Sequence, residues 1–412
     1  MLTVAEALNL LMAAARSVTD VEIVSTLVAN GRILASAQSS QVNVPPVDNA
    51  QMDGYAIRAV DCVSGAARLL VSQRIPAGYV GEPLQQGTAA RIFTGAMIPL
   101  GADAVVMQEM CVADGDGVVI QYTPASGEWI RRAGEDIYAG KVILMAGTRL
   151  QAQHLGLAAS VGLAELPTVR KLRVAVFFTG DELTMPGNTL KAGAIYNSNR
   201  FVLRGLLENL GCEITDYGIV PDSLTATRDM LRIAAQQHDL IITSGGVSVG
   251  EEDHVKPAVE AEGRLNIWQI AMKPGKPLAF GEINRDVIDT GECEDHSAET
   301  AFFMGLPGNP VSSFVTFLLF VRPFILRLQG CSKVAPEVYS MRADFDWPKA
   351  DHRQEFLRAK INFNGGLDLF SHQGSGVLTS TVWGDGLVDN PAGNTIATRD
   401  VVRFHPFSVL FQ

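Results

Sequence analysis

The chain is short of positive charge: 33 Lys and Arg stand against 44 Asp and Glu in 412 residues, a formal net charge of −11. No run of Lys or Arg resembles a nucleic-acid-binding arm, so DNA and RNA are not expected partners. An anionic ligand has to be drawn by a local pocket. Cysteine is scarce as well. Cys62, Cys111, Cys212, Cys293 and Cys331 are scattered, odd in number and form no CxxC pair. That excludes a disulfide framework and predicts reduced thiols in a cytoplasmic protein. Long apolar runs are missing: the most apolar stretch, 314–321, is too short to cross a bilayer and meets Arg322 and Pro323 at once. It reads as a buried helix, and no membrane association is expected. The N-terminus has Glu6 within an amphipathic pattern in place of a basic leader segment, which predicts no signal peptide.

What is present is enough apolar residue, 47%, to build real cores, and enough length for more than one of them. The chemistry-bearing pattern begins at 241–253, IITSGGVSVGEED. An apolar β-type run breaks into Thr243, Ser244, Gly245 and Gly246 and ends in three acids. Paired glycines let backbone N–H groups approach an anion with no Cβ in the way, and Thr243, Ser244 and Ser248 add hydroxyl donors. Downstream, Lys273-Pro-Gly-Lys276-Pro holds two cations on a proline-stiffened loop. Gly305-Leu-Pro307-Gly-Asn309-Pro-Val-Ser312 places a third rigid loop between a strand (301–304) and a helix (311–328). A Gly-Gly pair alone is ordinary turn chemistry. Three such loops at strand ends line one edge of an open α/β sheet, where ligands of such folds bind.

In chain order, Thr3 and Glu6 form a capping-box pattern. Val4, Ala7, Leu8, Leu11, Met12 and Ala15 follow at helical spacing. Residues 21–36 read as further helix or mixed structure, and Pro45-Pro46 marks a boundary. From there to 136 short strands alternate with glycine, with Asp114-Gly-Asp-Gly117 as a hairpin signal. Residues 138–167 hold a strand at 141–145 and a helix at 152–161 that return to the first segment, so 46–136 interrupts its host. From Lys171 strands at 174–178, 213–220 and 239–243 alternate with helices at 199–210 and 225–237, a parallel pattern with right-handed crossovers. Asp181, Glu182, Asp222 and Asp253 then meet on one sheet edge. Asp222 before Ser223 also fits a helix cap, but several carboxylates beside a phosphate-type loop favour a hard cation such as Mg²⁺. Strands at 355–361, 367–370, 401–404 and 408–411 predict a small C-terminal barrel or sandwich, with Arg358 and the loop Ser371-His-Gln-Gly-Ser375 as its polar candidates.

MDGYA at Met52, RIFTGAMIPLGADAVV at Arg91, GEDI at Gly134, TGDEL at Thr179, TSGGVSVG at Thr243, KPGKP at Lys273, GLPGNPVS at Gly305 and HQGS at His372 together resemble the molybdopterin molybdenumtransferases, the MoeA family that includes the E-domain of gephyrin. The likeness runs in order over nearly the whole chain. It implies a multidomain α/β plus β protein. An elongated, discontinuous helical N-terminal domain (1–45 and 137–168) carries a β-rich insert (46–136). A three-layer α/β molybdopterin-binding domain (169–330) and a C-terminal β-barrel (331–412) follow.

The same resemblance implies a cytoplasmic homodimer that inserts molybdenum from molybdate into adenylylated molybdopterin with Mg²⁺, releasing AMP. Transient contacts with the adenylyltransferase and with apo-molybdoenzymes are also implied. It assigns Glu182, Asp222 and Asp253 to Mg²⁺, and Thr243, Ser244, Gly245, Gly246 and Ser248 to the pyrophosphate. Lys273, Lys276, Ser312, Arg358 and Ser375 go to an oxyanion pocket, with Pro307 and Asn309 beside the substrate. Asp53, Thr94 and Asp136 face the site from the insert. The acidic stretch between Ile283 and Thr300 departs from the family pattern and is expected to be a solvated loop extension. An adenylyltransferase sharing the α/β unit and a scaffold that only binds partners are the competing readings. The extra β modules argue against the first, and the retained carboxylates and lysines against the second.

Overall fold

A computed structural model describes residues 1–63, 65–247, 254–285 and 299–411. Its centre is a six-stranded sheet in the order Glu213–Val220, Arg173–Thr179, Leu240–Ser244, Thr300–Leu306, Pro277–Asn284, Gly263–Gln269. The first four strands are parallel and the last two antiparallel. Period-2 alternation sorts the side chains by face. Val174, Val176 and Phe178 point to one side with the helix Ser198–Asn209 and the long helical run Pro310–Leu328. Ala175 and Phe177 point to the other, against Leu231, Ala234, Val255 and Val259 of two further helices. Helices therefore cover both faces, giving three layers.

The helix expected at 311–328 runs over Pro310–Leu328 and relaxes into a π turn over Phe317–Val321. On length and composition it could cross a bilayer, and among the described residues no other helix could. Here it is enclosed: Phe317, Phe320 and Phe324 are fully buried in the main core.

The N-terminal helix, Val4–Ala14, has the capping box its sequence announces, with Thr3 and Glu6 bonding reciprocally. Its apolar stripe docks elsewhere than expected. Ala7 and Leu11 enter the core of the α/β unit, and Leu2 exchanges backbone hydrogen bonds with Gln269 and Ala271. The rest of 1–45 and 137–168 is not a helical domain. It contains the antiparallel pair Val21–Ser25 with Glu165–Val169, the pair Gln38–Ser39 with Val142–Leu144, and the short helix Ala152–Ser160. Residues 21–25 are strand because Val, Ile and Val in that run prefer a pleated surface.

Within 46–136 a six-stranded sheet runs Ala104–Met107, Gly54–Ile57, Thr88–Ile92, Ala67–Ile75, Gly117–Ile120, Cys111–Asp114. Two apolar clusters, one around Ala56, Ile92 and Val105 and one around Ile57, Ala89 and Val106, cover its two faces.

The C-terminal sheet is joined to the α/β unit by a shared strand. Met272–Lys273 pairs in parallel with the edge of Gln354–Ile361. The order continues through Gly386–Asn390 and Val401–Pro406 to Tyr339–Arg342. Leu367–Leu369 pairs with the same strand Gln354–Ile361, and Ala343, the residue after Tyr339–Arg342, bridges Leu367, so the last strand of the order meets the first part of the sheet again. The strand expected at 408–411 is instead a helical turn, Phe407–Leu410. Phe407 and Leu410, three apart, reach the main core by that turn.

Candidate functional site

Four parallel strands end at the same edge, and their register makes the ends level: Ser244 is opposite Phe178 on one side and Leu306 on the other. Each strand delivers one predicted element there. Thr179 leads to Gly180 and Glu182, Val220 to Asp222, Ser244 to Gly245 and Gly246, and Leu306 to Pro307 and Asn309. Together with the KPGKP loop and the Gln373–Ser375 segment they enclose a cleft of about 750 Å³.

The paired glycines are needed for their conformation. Gly245 and Gly246 have φ of +103° and +62°. A Cβ on Gly245 would lie 2.5 Å from the Thr179 carbonyl oxygen, and one on Gly246 2.7 Å from Val255 Cγ2. Any larger residue would push the loop into the space it surrounds.

Asn199, which sequence reasoning passed over, fastens this loop. Its Nδ2 donates to Ser244 Oγ (2.8 Å) and to the Gly308 carbonyl (2.8 Å), while Ser244 Oγ donates to the Pro307 carbonyl (3.0 Å). Asn197 caps the same helix by accepting from Arg200 N. The signal was the Asn-Ser-Asn sequence at 197–199, just where the helix begins. Thr179 Oγ1, Asn197 Nδ2 and Asn199 Oδ1 line the cleft region as buried polar atoms with no protein partner. Such atoms are costly unless a ligand or water reaches them.

The two lysines of KPGKP differ. Lys273 Nζ lies 3.0 Å from Glu355 Oε1 and 3.3 Å from Asp351 Oδ2. Burial disfavours its charge, but the Glu355 and Asp351 carboxylates together outweigh that and hold the ammonium pKa above its ordinary value. Lys276 is exposed in the cleft and has no acidic partner within 4 Å among the described residues. Arg353, the third cation in the wall, is tied to Asp351 at 3.0 Å.

Other predicted residues fall in two groups. Glu182, Asp222, Ser244, Gly245, Gly246, Lys273, Lys276, Pro307, Asn309, Ser312 and Ser375 all line the cleft. Thr243 does not: it is fully buried beneath the loop. Arg358 also stays behind the wall. It is fully buried, and its guanidinium donates to the Phe356 and Gly374 carbonyls (3.2 Å each) and to Ser380 Oγ (3.1 Å). Burial pushes its pKa down to about 10. Arg358 thus supports the Gln373–Ser375 segment from behind, because backbone carbonyls on a neighbouring loop outcompete the open cleft for its donors.

Asp53, Thr94 and Asp136 lie on the insert and do not join this cleft within the chain. Asp53 Oδ1 accepts from Thr94 N (2.8 Å) and Thr94 Oγ1 (2.7 Å). These bonds, the backbone one foremost, hold its pKa below the usual carboxylate value. Ser248 and Asp253 lie outside the described residues, as does most of the acidic stretch 284–299. Among the described residues no group of three His, Cys, Asp or Glu is placed to hold a metal ion.

A three-layer α/β unit with a glycine loop, a cation that pairs with no carboxylate among the described residues, and carboxylates at the carboxyl ends of its parallel strands has the architecture of a small-molecule-binding protein, with a cleft that suits an anion. Comparison with known proteins narrows the class. Residues 175–327 match the family described as a probable molybdopterin binding domain. Residues 2–162 match the MoeA N-terminal region (domain I and II), and 340–407 the MoeA C-terminal region (domain IV). The chain is 40% identical over 404 residues to the molybdopterin molybdenumtransferase of Haemophilus influenzae, covering 95% of each. It is 36% identical over 396 residues to that of Nostoc, covering 93% of this chain and 88% of the relative. The crystal structure of the molybdopterin biosynthesis MoeA protein of Pyrococcus horikoshii superposes with a TM-score of 0.84 at 29% identity, covering 98% of this chain and 100% of that one. The chain belongs to the MoeA family of molybdopterin molybdenumtransferases and is an enzyme of molybdenum cofactor biosynthesis.

Proposed function

We propose that the chain inserts molybdenum from molybdate into adenylylated molybdopterin, giving molybdenum cofactor and AMP, as a cytoplasmic homodimer. The observation that carries this reading is Lys276, a cation with no acidic partner among the described residues, in one cleft with Glu182, Asp222 and the Ser244–Gly246 loop. A tetrahedral dianion such as molybdate needs a cation that protein carboxylates have not already neutralised. Lys276 supplies it, and Ser312 and Ser375 add hydroxyl donors in the same wall. The pyrophosphate of the adenylylated pterin fits the amides of Gly245 and Gly246, whose backbone lies open to the cleft for want of Cβ atoms.

Mg²⁺ suits the chemistry of the donor set. Glu182 and Asp222 are two carboxylates on adjacent strand ends beside a phosphate-type loop, and Mg²⁺ binds through one or two carboxylates with water and phosphate oxygens completing its shell. Asp253 is the third carboxylate in this reading. The ion would neutralise charge on the phosphoanhydride as it is cleaved. The chain's own part is to hold the pyrophosphate at the loop, to hold molybdate at Lys276, and to exclude bulk water by the Pro307–Asn309 and Gln373–Ser375 walls. Asp53 and Thr94 complete the site from the partner subunit's insert. Transient docking of the adenylyltransferase and of apo-molybdoenzymes delivers substrate and removes product.

Incubation with adenylylated molybdopterin, Mg²⁺ and molybdate tests this, with AMP release and reconstitution of an apo-molybdoenzyme as readouts. Molybdate-dependent AMP release is expected. AMP at blank level with intact substrate would overturn the reading.

A further inference from the structure

A second cleft, of about 530 Å³, shares no residue with the first. It lies where three parts of the chain meet: the segment before and into the helix Ala152–Ser160, the helix Arg322–Leu328 through Arg322 and Leu326, and the connection that follows it, with Val409 of the last helical turn closing one side.

Two guanidiniums stand in its wall. Arg149 Nη2 donates to the Asn209 carbonyl at 2.6 Å, at the end of the helix Ser198–Asn209. No carboxylate lies within 4 Å of Arg149 among the described residues. Arg322 is 6% exposed and donates to the carbonyls of Val334 (3.2 Å) and Val409 (3.3 Å). Burial pushes the Arg149 pKa below its ordinary value and that of Arg322 down to about 10, and the Arg149 charge adds to the second effect. Fixing one carbonyl explains the Arg149 hydrogen bond but not the choice of residue, because a neutral amide would serve there without adding a positive charge to a desolvated wall that already holds Arg322.

The rim is balanced differently. Lys333 reaches the cleft but is neutralised by Glu337 at 2.7 Å. His154 Nδ1 accepts from Gln151 N at 3.0 Å, so the neutral ring carries its proton on Nε2 and keeps one donor for the cleft it lines. Charge-assisted donors of planar, forked geometry match a tetrahedral oxyanion.

We propose that this second cleft binds a phosphate-type dianion between Arg149 and Arg322, with His154 as a further donor. The volume is larger than an inorganic ion requires, so the dianion can be free or the phosphate of a nucleotide.

Equilibrium dialysis of the full chain against inorganic phosphate, molybdate and AMP separately tests the site, with the two clefts told apart by variants. Saturable binding that persists in Lys276→Ala and weakens at least about tenfold in Arg149→Gln is expected, with circular dichroism unchanged. AMP binding tighter than inorganic phosphate by more than about tenfold assigns the site to a nucleotide, and equal or weaker AMP binding assigns it to a free oxyanion. If Arg149→Gln does not fold, His154→Ala decides, with a loss of at least about threefold expected for one neutral donor. Absence of saturable binding of all three anions in Lys276→Ala overturns the proposal. So does binding unchanged in the folded variant that decides.

Discussion

Lys273 Nζ sits 3.0 Å from Glu355 Oε1, on the two strands whose pairing joins the α/β unit to the C-terminal sheet. Glu355 is 1% exposed and also accepts from Trp347 Nε1 (2.7 Å) and Asn390 Nδ2 (3.3 Å). One lysine of KPGKP is thus spent on the joint between two units, which on the proposed reading leaves Lys276 to meet the ligand.

Glu355→Gln is expected to destabilise the protein by about 1–3 kcal/mol, since it removes the charge from a buried acceptor with three donors. Urea unfolding measures this. A midpoint equal to wild type would mean the joint does not depend on the pair.

Lys276→Ala and Arg358→Ala should separate affinity from stability. The first removes a cation from an open wall, so the molybdate concentration for half-maximal AMP release should rise about tenfold or more with the urea midpoint unchanged. The second removes a buried side chain, and a loss of about 2–5 kcal/mol is expected. Arg358→Ala with wild-type stability and a raised molybdate requirement would put its guanidinium in the anion site after all.

Asp53 and Glu182 belong, on the proposed reading, to complementary halves of a site made from two subunits. Asp53→Ala and Glu182→Ala homodimers should each be nearly inactive. Refolded together in equal amounts, half the dimers are mixed, and each mixed dimer has one doubly damaged and one intact site. Activity should return to about a quarter of wild type per site. No recovery among mixed dimers confirmed by differential tags would place both residues in one subunit's site.

Asp239 predicts an acid-side loss of stability. Its carboxylate is bound by Arg170 at 2.7 and 2.8 Å and by Arg173 N at 2.8 Å. Burial alone would raise its pKa, but these partners, Arg170 first, bring it below the ordinary value. The folded state therefore keeps the charge to lower pH than the unfolded chain. The resulting stability is present above the unfolded value of about 3.9 and lost as pH falls through the depressed folded value. Asp239→Asn should be about 1–3 kcal/mol less stable than wild type near pH 6, and the gap should close toward about pH 3 in urea titrations. A gap independent of pH would exclude the carboxylate charge as its source.

The amino-acid sequence by itself determined the local devices of this protein: the glycine pair after Thr243 and Ser244, the proline-stiffened loops at Lys273 and Gly305, and the strand runs that end in Glu182 and Asp222. These follow from near-neighbour rules of backbone freedom and side-chain alternation, so they were legible without partners. Tertiary structure decided which charges remain available. Glu355, 82 residues from Lys273, neutralises one lysine and not the other. Gly374 and Ser380 draw Arg358 out of the cleft, while Asn199 is drawn in to latch Ser244 to Gly308. The first helix announces its start and its stripe, but Ala7 and Leu11 found their core in the α/β unit more than 150 residues onward. Burial and ion pairing are properties of contacts distant in sequence, and no local pattern encodes which of several equivalent side chains will find a partner.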